Sequence, residues 1–165
     1  MEIRKASQED YTTIFEIANV TWDNAYKSIL SEAQLEYMMD MMYSPSAFTE
    51  QLNIKGHHFL MASIDGKDLG FASYELNYRY GVTKLHKLYV LPQTQGTGMG
   101  HALITAVENA AKANGNETVT LNVNRFNKAI HFYEKNGYAN TGAVDVNIGN
   151  GYLMEDYVME KSLSF

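Results

Sequence analysis

Apolar residues in the first third of the chain recur at three- and four-residue steps. Ile14, Ile17, Ala18 and Trp22 share one helical face, and "LEYMMDMMY" keeps the same period. Ser7 with Asp10, and Ser31 with Gln34, stand at capping-box spacing before these runs. Ser44-Pro45 opens a third helical stretch with proline at its first position. After Gly56 the period changes to two. "HFLMASI", "LGFASYEL" and "TKLHKLYVL" read as strands, the first two joined by the turn signal "DGK". Beyond a glycine-rich stretch, Ala102, Leu103, Ala106, Val107 and Ala110 form one helical stripe that Asn114-Gly115 stops. "TVTLNV" predicts a strand and "KAIHFYEKN" a helix closed by Gly137. "YANTGAVDV" and "YLMEDYVME" predict two last strands joined at Asn150-Gly151. With "EIRKAS" as a short first strand, and no repeat or linker, the pattern predicts one α/β (α+β) domain over residues 1–165.

Composition narrows the function. The chain has 165 residues, 45% hydrophobic and 19% charged, which suits a soluble globular protein. Cysteine is absent, so disulfides and thiolate chemistry are excluded. No apolar run approaches the roughly 18–20 residues of a membrane span, and "MEIRKASQED" lacks the order of a secretory signal. A cytoplasmic location is therefore expected. A net charge of −6 with no run of Lys or Arg argues against nucleic acid as a partner. His57, His58, His101 and His131 show no metal-ligand spacing, so no metal is expected.

The candidate chemistry begins at "LYVLPQTQGTGMG". A glycine-rich loop between a strand and a helix lets backbone N–H groups approach a phosphate. A Walker A loop needs lysine after its last glycine, and His101 follows Gly100. A Rossmann loop needs G-x-G-x-x-G with an acidic residue ending the next strand, and here the strand ends "NVNR". Both nucleotide readings fail on spacing. What remains is Q-x-x-G-x-G, with Gln95, Gly98 and Gly100 in the fixed places.

With the strand "LYVLP" before it and "NKAIHFYEKNGY" about thirty residues on, this loop resembles the GCN5-related N-acetyltransferase (GNAT) superfamily. The two motifs cover roughly the C-terminal half. The resemblance implies a mixed, mostly antiparallel sheet of about six to seven strands flanked by helices and splayed at an acetyl-CoA cleft. It implies that Gln95, Gly96, Thr97, Gly98, Met99 and Gly100 bind the pyrophosphate through backbone amides. Leu88, Tyr89 and Val90 are implied to bind the pantetheine arm as an added strand would, and Asn127, Ala129, Phe132 and Tyr133 to line the coenzyme on its other side. A plain tight turn is the ordinary alternative for the loop, a helix N-cap for Asn127, and core packing for the apolar residues.

Acetyl transfer needs a neutral amine, a donor for the developing oxyanion and a proton for the leaving thiolate. The resemblance assigns the thiolate acid to Tyr133. Relatives often carry glutamate on the strand before the loop; Lys84 holds that slot here. His86 and Glu75 are the remaining candidate bases, beside a water chain. In the family the acceptor site lies between the N-terminal helices and the last strands. There Trp22, Tyr26, Tyr37, Met38, Met41, Met42 and Tyr43 would form an adaptable wall or else a helix core, with Glu155 and Asp156 opposite. The expected function is transfer of acetyl from acetyl-CoA to a primary amine, by direct attack in a ternary complex. A polyamine or other small cation is the expected acceptor. A non-catalytic acyl-CoA-binding regulator and a protein N-terminal or lysine acetyltransferase are the alternatives. The resemblance also admits a homodimer.

Overall fold

The computed structural model describes residues 1–163. The strands are β1 (Glu2–Lys5), β2 (His57–Ile64), β3 (Lys67–Arg79), β4 (Val82–Val90), β5 (Thr118–Asn124), β6 (Ala139–Gly149) and β7 (Tyr152–Ser162). The helices are α1 (Tyr11–Tyr26), α2 (Glu32–Tyr43), α3 (Pro45–Asn53), α4 (Met99–Ala113) and α5 (Ala129–Lys135). The sheet runs in the order β1-β2-β3-β4-β5-β7-β6. All of its ladders are antiparallel except β4 with β5.

Local chemistry explains the element ends. Ser31 Oγ accepts from the Gln34 amide at 3.1 Å, and Ser44 Oγ accepts from the Ala47 amide at 3.2 Å with Pro45 at the first helical position. The Ser31–Gln34 box is only half made, because the Gln34 side chain turns away to the Leu153 carbonyl at 3.1 Å. At the first box the Ser7 amide donates to Asp10 at 2.9 Å, but it opens a 3₁₀ turn and α1 begins at Tyr11. The hairpin turns Asp65-Gly66 and Asn150-Gly151 have positive φ at both residues, as two-residue hairpins with right-handed strands require.

The period-two strands bury both faces of the sheet. On one face α4 and α5 cover Ala72, Leu85, Leu121 and Met159. On the other, α1 to α3 cover Phe59, Met61 and Phe71, with Trp22, Met38, Tyr43 and Phe48 as fully packed side chains. The Met- and Tyr-rich segment is thus mainly core rather than an adaptable acceptor wall: Met38 and Tyr43 are inaccessible, and the Tyr37 hydroxyl donates to the Ile148 carbonyl at 2.6 Å. Gly70 permits α4 to lie close on the sheet, since a Cβ there would come within 2.9 Å of both Val90 Cγ1 and Met99 Sδ.

One irregularity positions the site. The parallel ladder pairs Val82 with Thr118 through Leu85 with Leu121 and goes no further. Beyond it β4 stays paired to β3, with Leu88 opposite Ala72 and Val90 opposite Gly70. The β5-facing edge of Leu88, Tyr89 and Val90 is left open to a cleft.

Candidate active site

The cleft has a volume of about 1480 Å³ and enters between the diverging strands. Leu88, Tyr89, Val90, Gln95, Gly96, Gly98, Met99, Gly100, Asn127, Ala129, Phe132 and Tyr133 all line it, as does His86. Thr97 and Glu75 are not part of that lining.

Within the glycine loop the amides divide into two sets. Those of Gln95 and Thr97 are used by the loop itself, donating to Pro92 and Thr94 carbonyls at 3.2 and 3.1 Å. These two residues therefore shape the turn instead of offering amides to a phosphate. The amides of Gly96 and Gly98 make no hydrogen bond among the described residues, and those of Met99 and Gly100 lie in the first turn of α4, which has no internal acceptor for them. These four amides converge at the positive end of a 15-residue helix. Gly96 and Gly98 both need left-handed backbone, at φ 83° and 80°. Gly100 is required for a second reason: a Cβ there would stand 3.0 Å from Phe132 Cε1, so its hydrogen lets α5 close on α4. The Met99 side chain points into the core and only its backbone serves the loop.

Asn127 sits where the cleft wall at the start of α5 meets the N-terminal helices. Its Oδ1 accepts from the Ala129 amide at 2.9 Å, which caps the start of α5, and its Nδ2 donates to the Tyr26 hydroxyl at 3.1 Å. Tyr26 ends α1 and is buried, which pushes its pKa to about 12. Tyr133 follows on α5, with its ring edge-on to Phe132 and Tyr138; burial, then the neighbouring Tyr26, raises its pKa well above the ordinary phenol value. Tyr133 is therefore a neutral phenol at any physiological pH.

On the face covered by α1 to α3, the β3–β4 register brings Glu75 and His86 together. A bulge in the ladder after Ser73 turns His86 to this face, and its Nε2 is 2.9 Å from Glu75 Oε1. His57 of β2 pairs with Glu75 in the ladder, and its ring stacks on that of His86 at 4.0 Å with 14° between planes. One ligand atom from each of His57, Glu75 and His86 lies within 4.8 Å of the others, a grouping that sequence spacing could not show. The rings are nearly parallel, so their in-plane lone pairs run side by side and the arrangement as it stands suits hydrogen bonding. Burial, then Lys84, Lys87 and Lys55, hold the His86 pKa down to about 3 in spite of the carboxylate, so the contact joins a neutral ring N–H to Glu75. Burial, then His86 and Lys87, hold His57 at about 4.

One side of the cleft is walled by the end of α1, including Asn24, Ala25 and Tyr26, with Ser28 and Ile29 beyond it. Its floor is the sheet face carrying His86 and Asn122. The strand period separates the two acidic residues of β7. Asp156 lies on the same sheet face as Asn122 and Asn124, next to the cleft but outside its lining, whereas Glu155 turns to the opposite face, exposed. Glu155 is thereby removed from the sheet face that α1 covers. Asp156 is buried, 7% exposed.

The family of acetyltransferase (GNAT) domains matches residues 26–161. The chain belongs to the GNAT acetyltransferases. The GNAT chain is 30% identical over 160 residues to the spermidine N(1)-acetyltransferase of Thermoplasma acidophilum, covering 94% of this chain and 96% of that protein. Its fold is similar to the PaiA N-acetyltransferase of Thermoplasma acidophilum solved with coenzyme A. That match has a TM-score of 0.81 and 29% identity, and it covers 98% of each chain. It is also similar to a GCN5-related N-acetyltransferase from Rhodopseudomonas palustris, with a TM-score of 0.82 and 28% identity over 98% of this chain and 95% of that one. The GNAT sheet, mixed and mostly antiparallel with seven strands, is as the motifs implied. This is an acetyl-CoA-dependent acyltransferase. The residues present fit that co-substrate: four free amides at a helix N-terminus suit a pyrophosphate, and the open β4 edge suits the amide-bearing arm.

Proposed function

We propose that this GNAT enzyme acetylates the primary amine of a small cationic acceptor of the polyamine class, by direct transfer within a ternary complex. The observation that carries the reading is the separation of charge along the cleft. Anion-binding amides gather at the α4 end, whereas the α1 side is lined by an uncharged imidazole, His86, and by Asn122, behind which lies a buried carboxylate, Asp156. The identity of 30% with a spermidine N(1)-acetyltransferase over nearly the whole chain supports it.

Acetyl-CoA, when bound, supplies an acetyl group activated as a thioester. The amides of Gly96, Gly98, Met99 and Gly100 hold its phosphates, and the backbone of Leu88, Tyr89 and Val90 aligns its arm. Asn127 and Tyr26 fix the junction between cofactor and acceptor sides through their hydrogen bond. Tyr133 is the proton donor to the departing sulfur, its phenol kept protonated by burial. An imidazole with a pKa near 3 holds a proton poorly at neutral pH. We therefore place His86, held by Glu75, as a polar contact for the acceptor.

The test is coenzyme A release with a panel of amines, comparing kcat/KM for a diamine or polyamine with that of a neutral-bodied amine of similar length. The cation should be preferred at low salt, with its advantage shrinking as ionic strength screens charges over roughly 8–10 Å. Preference for an acidic amine, or equal rates at every salt concentration, overturns the reading.

A further inference from the structure

An aliphatic amine reaches the cleft as an ammonium and must shed a proton before its lone pair can attack. One carboxylate next to the cleft has the properties of the group that receives it: Asp156 is outside the cleft lining itself, but its neighbours Tyr26 and Asn122 are part of that lining. Asp156 lies on β7 opposite Asn124 of β5 and Val144 of β6. It is 7% exposed, and its Oδ1 is covered with no hydrogen-bond partner among the described residues. Such an oxygen is expensive to bury and is retained where something binds it.

The charged and titratable groups around Asp156 do not satisfy it. From β4 comes Lys84, whose ammonium sits 4.6 Å from the centre of the Tyr78 ring. From the turn after β5 comes Arg125, which spends Nε on the Asp156 carbonyl at 3.2 Å and its terminal nitrogen on Asp145 of β6. From α1 comes Tyr26, whose hydroxyl accepts from Asn127. Glu155, the neighbour on β7, faces away. Asn122 of β5, which lines the cleft, is the polar neighbour, and its side chain favours the ionised carboxyl without reaching Oδ1. Burial outweighs these groups and raises the Asp156 pKa above the usual carboxylate range, which makes the anion more basic.

We propose that Asp156 is the catalytic base: its carboxylate binds the acceptor ammonium beside Tyr26 and takes its proton. This rests on the amine-acetylating reading and names the residue that reading lacks. Asp156 accepts one proton from R–NH₃⁺; the freed lone pair forms the N–C bond to the acetyl carbon as the C–S bond breaks. A second nitrogen proton is lost, the sulfur gains one from Tyr133, and the third stays on the product amide. The net proton leaves to solvent from Asp156, and the second nitrogen proton replaces the one that Tyr133 gave up.

The experiment uses the full chain, acetyl-CoA and 1,4-diaminobutane, with Asp156→Asn and Asp156→Glu, measuring kcat and both KM values across pH together with thermal melting. Asp156→Asn should lower amine kcat/KM by roughly 10²-fold or more, with the acetyl-CoA KM within about twofold. It should also flatten the acid limb of the pH profile. Asp156→Glu should recover part of the rate. Melting supplies a readout apart from activity. A carboxyl whose folded pKa is raised disfavours the fold once ionised, so Asp156→Asn should melt no lower than the parent at neutral pH, and any gain should vanish at acid pH. An Asp156→Asn enzyme with near-normal kcat/KM and an intact acid limb sinks the inference while leaving the acyltransferase reading standing. So does one that melts lower and is not rescued by glutamate. A parent chain that acetylates no amine in the panel defeats the reading beneath it, and the inference with it.

Discussion

Lys87 Nζ donates to Gln51 Oε1 at 2.6 Å, and this ties β4 to α3 through two side chains that are almost wholly buried. The ammonium also lies 4.6 Å from the centre of the Tyr43 ring. No sequence rule places a lysine under two helices, yet the bulge that turns His86 towards Glu75 turns Lys87 inward as well.

A consequence follows for stability against pH. Burial, then Lys55, lowers the Lys87 pKa to about 7, below the value of an unfolded lysine. Between about pH 7 and the unfolded lysine value near 10.4 the unfolded chain binds the extra proton, so folding stability rises with pH. Urea titrations should show a rise on the order of 1 kcal/mol or more between roughly pH 7 and 9, before unfolded tyrosines ionise near 10. Lys87→Met should remove that rise. A stability curve of the same slope in parent and variant would show that Lys87 keeps an ordinary pKa.

Gly98 is the N-cap of α4, at φ 80°, and a Cβ there meets nothing within 4 Å. Gly98→Asp should fold, since aspartate is among the residues that tolerate left-handed backbone, at a cost of about 1 kcal/mol. It places a negative charge among the free amides, so calorimetric coenzyme A binding should be lost. A folded variant with parental affinity would show that the phosphates sit elsewhere.

Tyr133→Phe keeps the ring between Phe132 and Tyr138 and removes only the hydroxyl. With Tyr133 as the acid, kcat should fall by roughly 10²-fold while coenzyme A affinity stays near the parental value. Near-normal turnover would leave the residue a packing aromatic.

The glycine loop, the strands and the helices were legible because periodicity, caps and turn dipeptides are local signals. Residue-level roles were less so where they depend on register. Alternation along "LMEDYVME" already separates Asp156 from Glu155, so that distinction was available in the sequence. The pairing of Glu75 with His86 was not, because it needs a ladder shift after Ser73 that has no local signature. Gln95 and Thr97 resemble their neighbours in the motif, and only the turn closed by Pro92 and Thr94 shows that their amides are already engaged. The Met- and Tyr-rich helices carried one pattern compatible with two fates, and packing against Phe59 and Phe71 decided it.

The parallel ladder that ends at Leu85 and Leu121 leaves β1–β4 and β5–β7 as two panels joined by four residue pairs and by α4 packed beneath. A coenzyme arm lying along Leu88–Val90 would therefore be more than a reactant resting in a groove. It would act as a keystone between the panels, completing a sheet that the polypeptide leaves unfinished. Each turnover would then take the keystone out and put another in, so product departure and the loosening of the protein's own architecture become the same event.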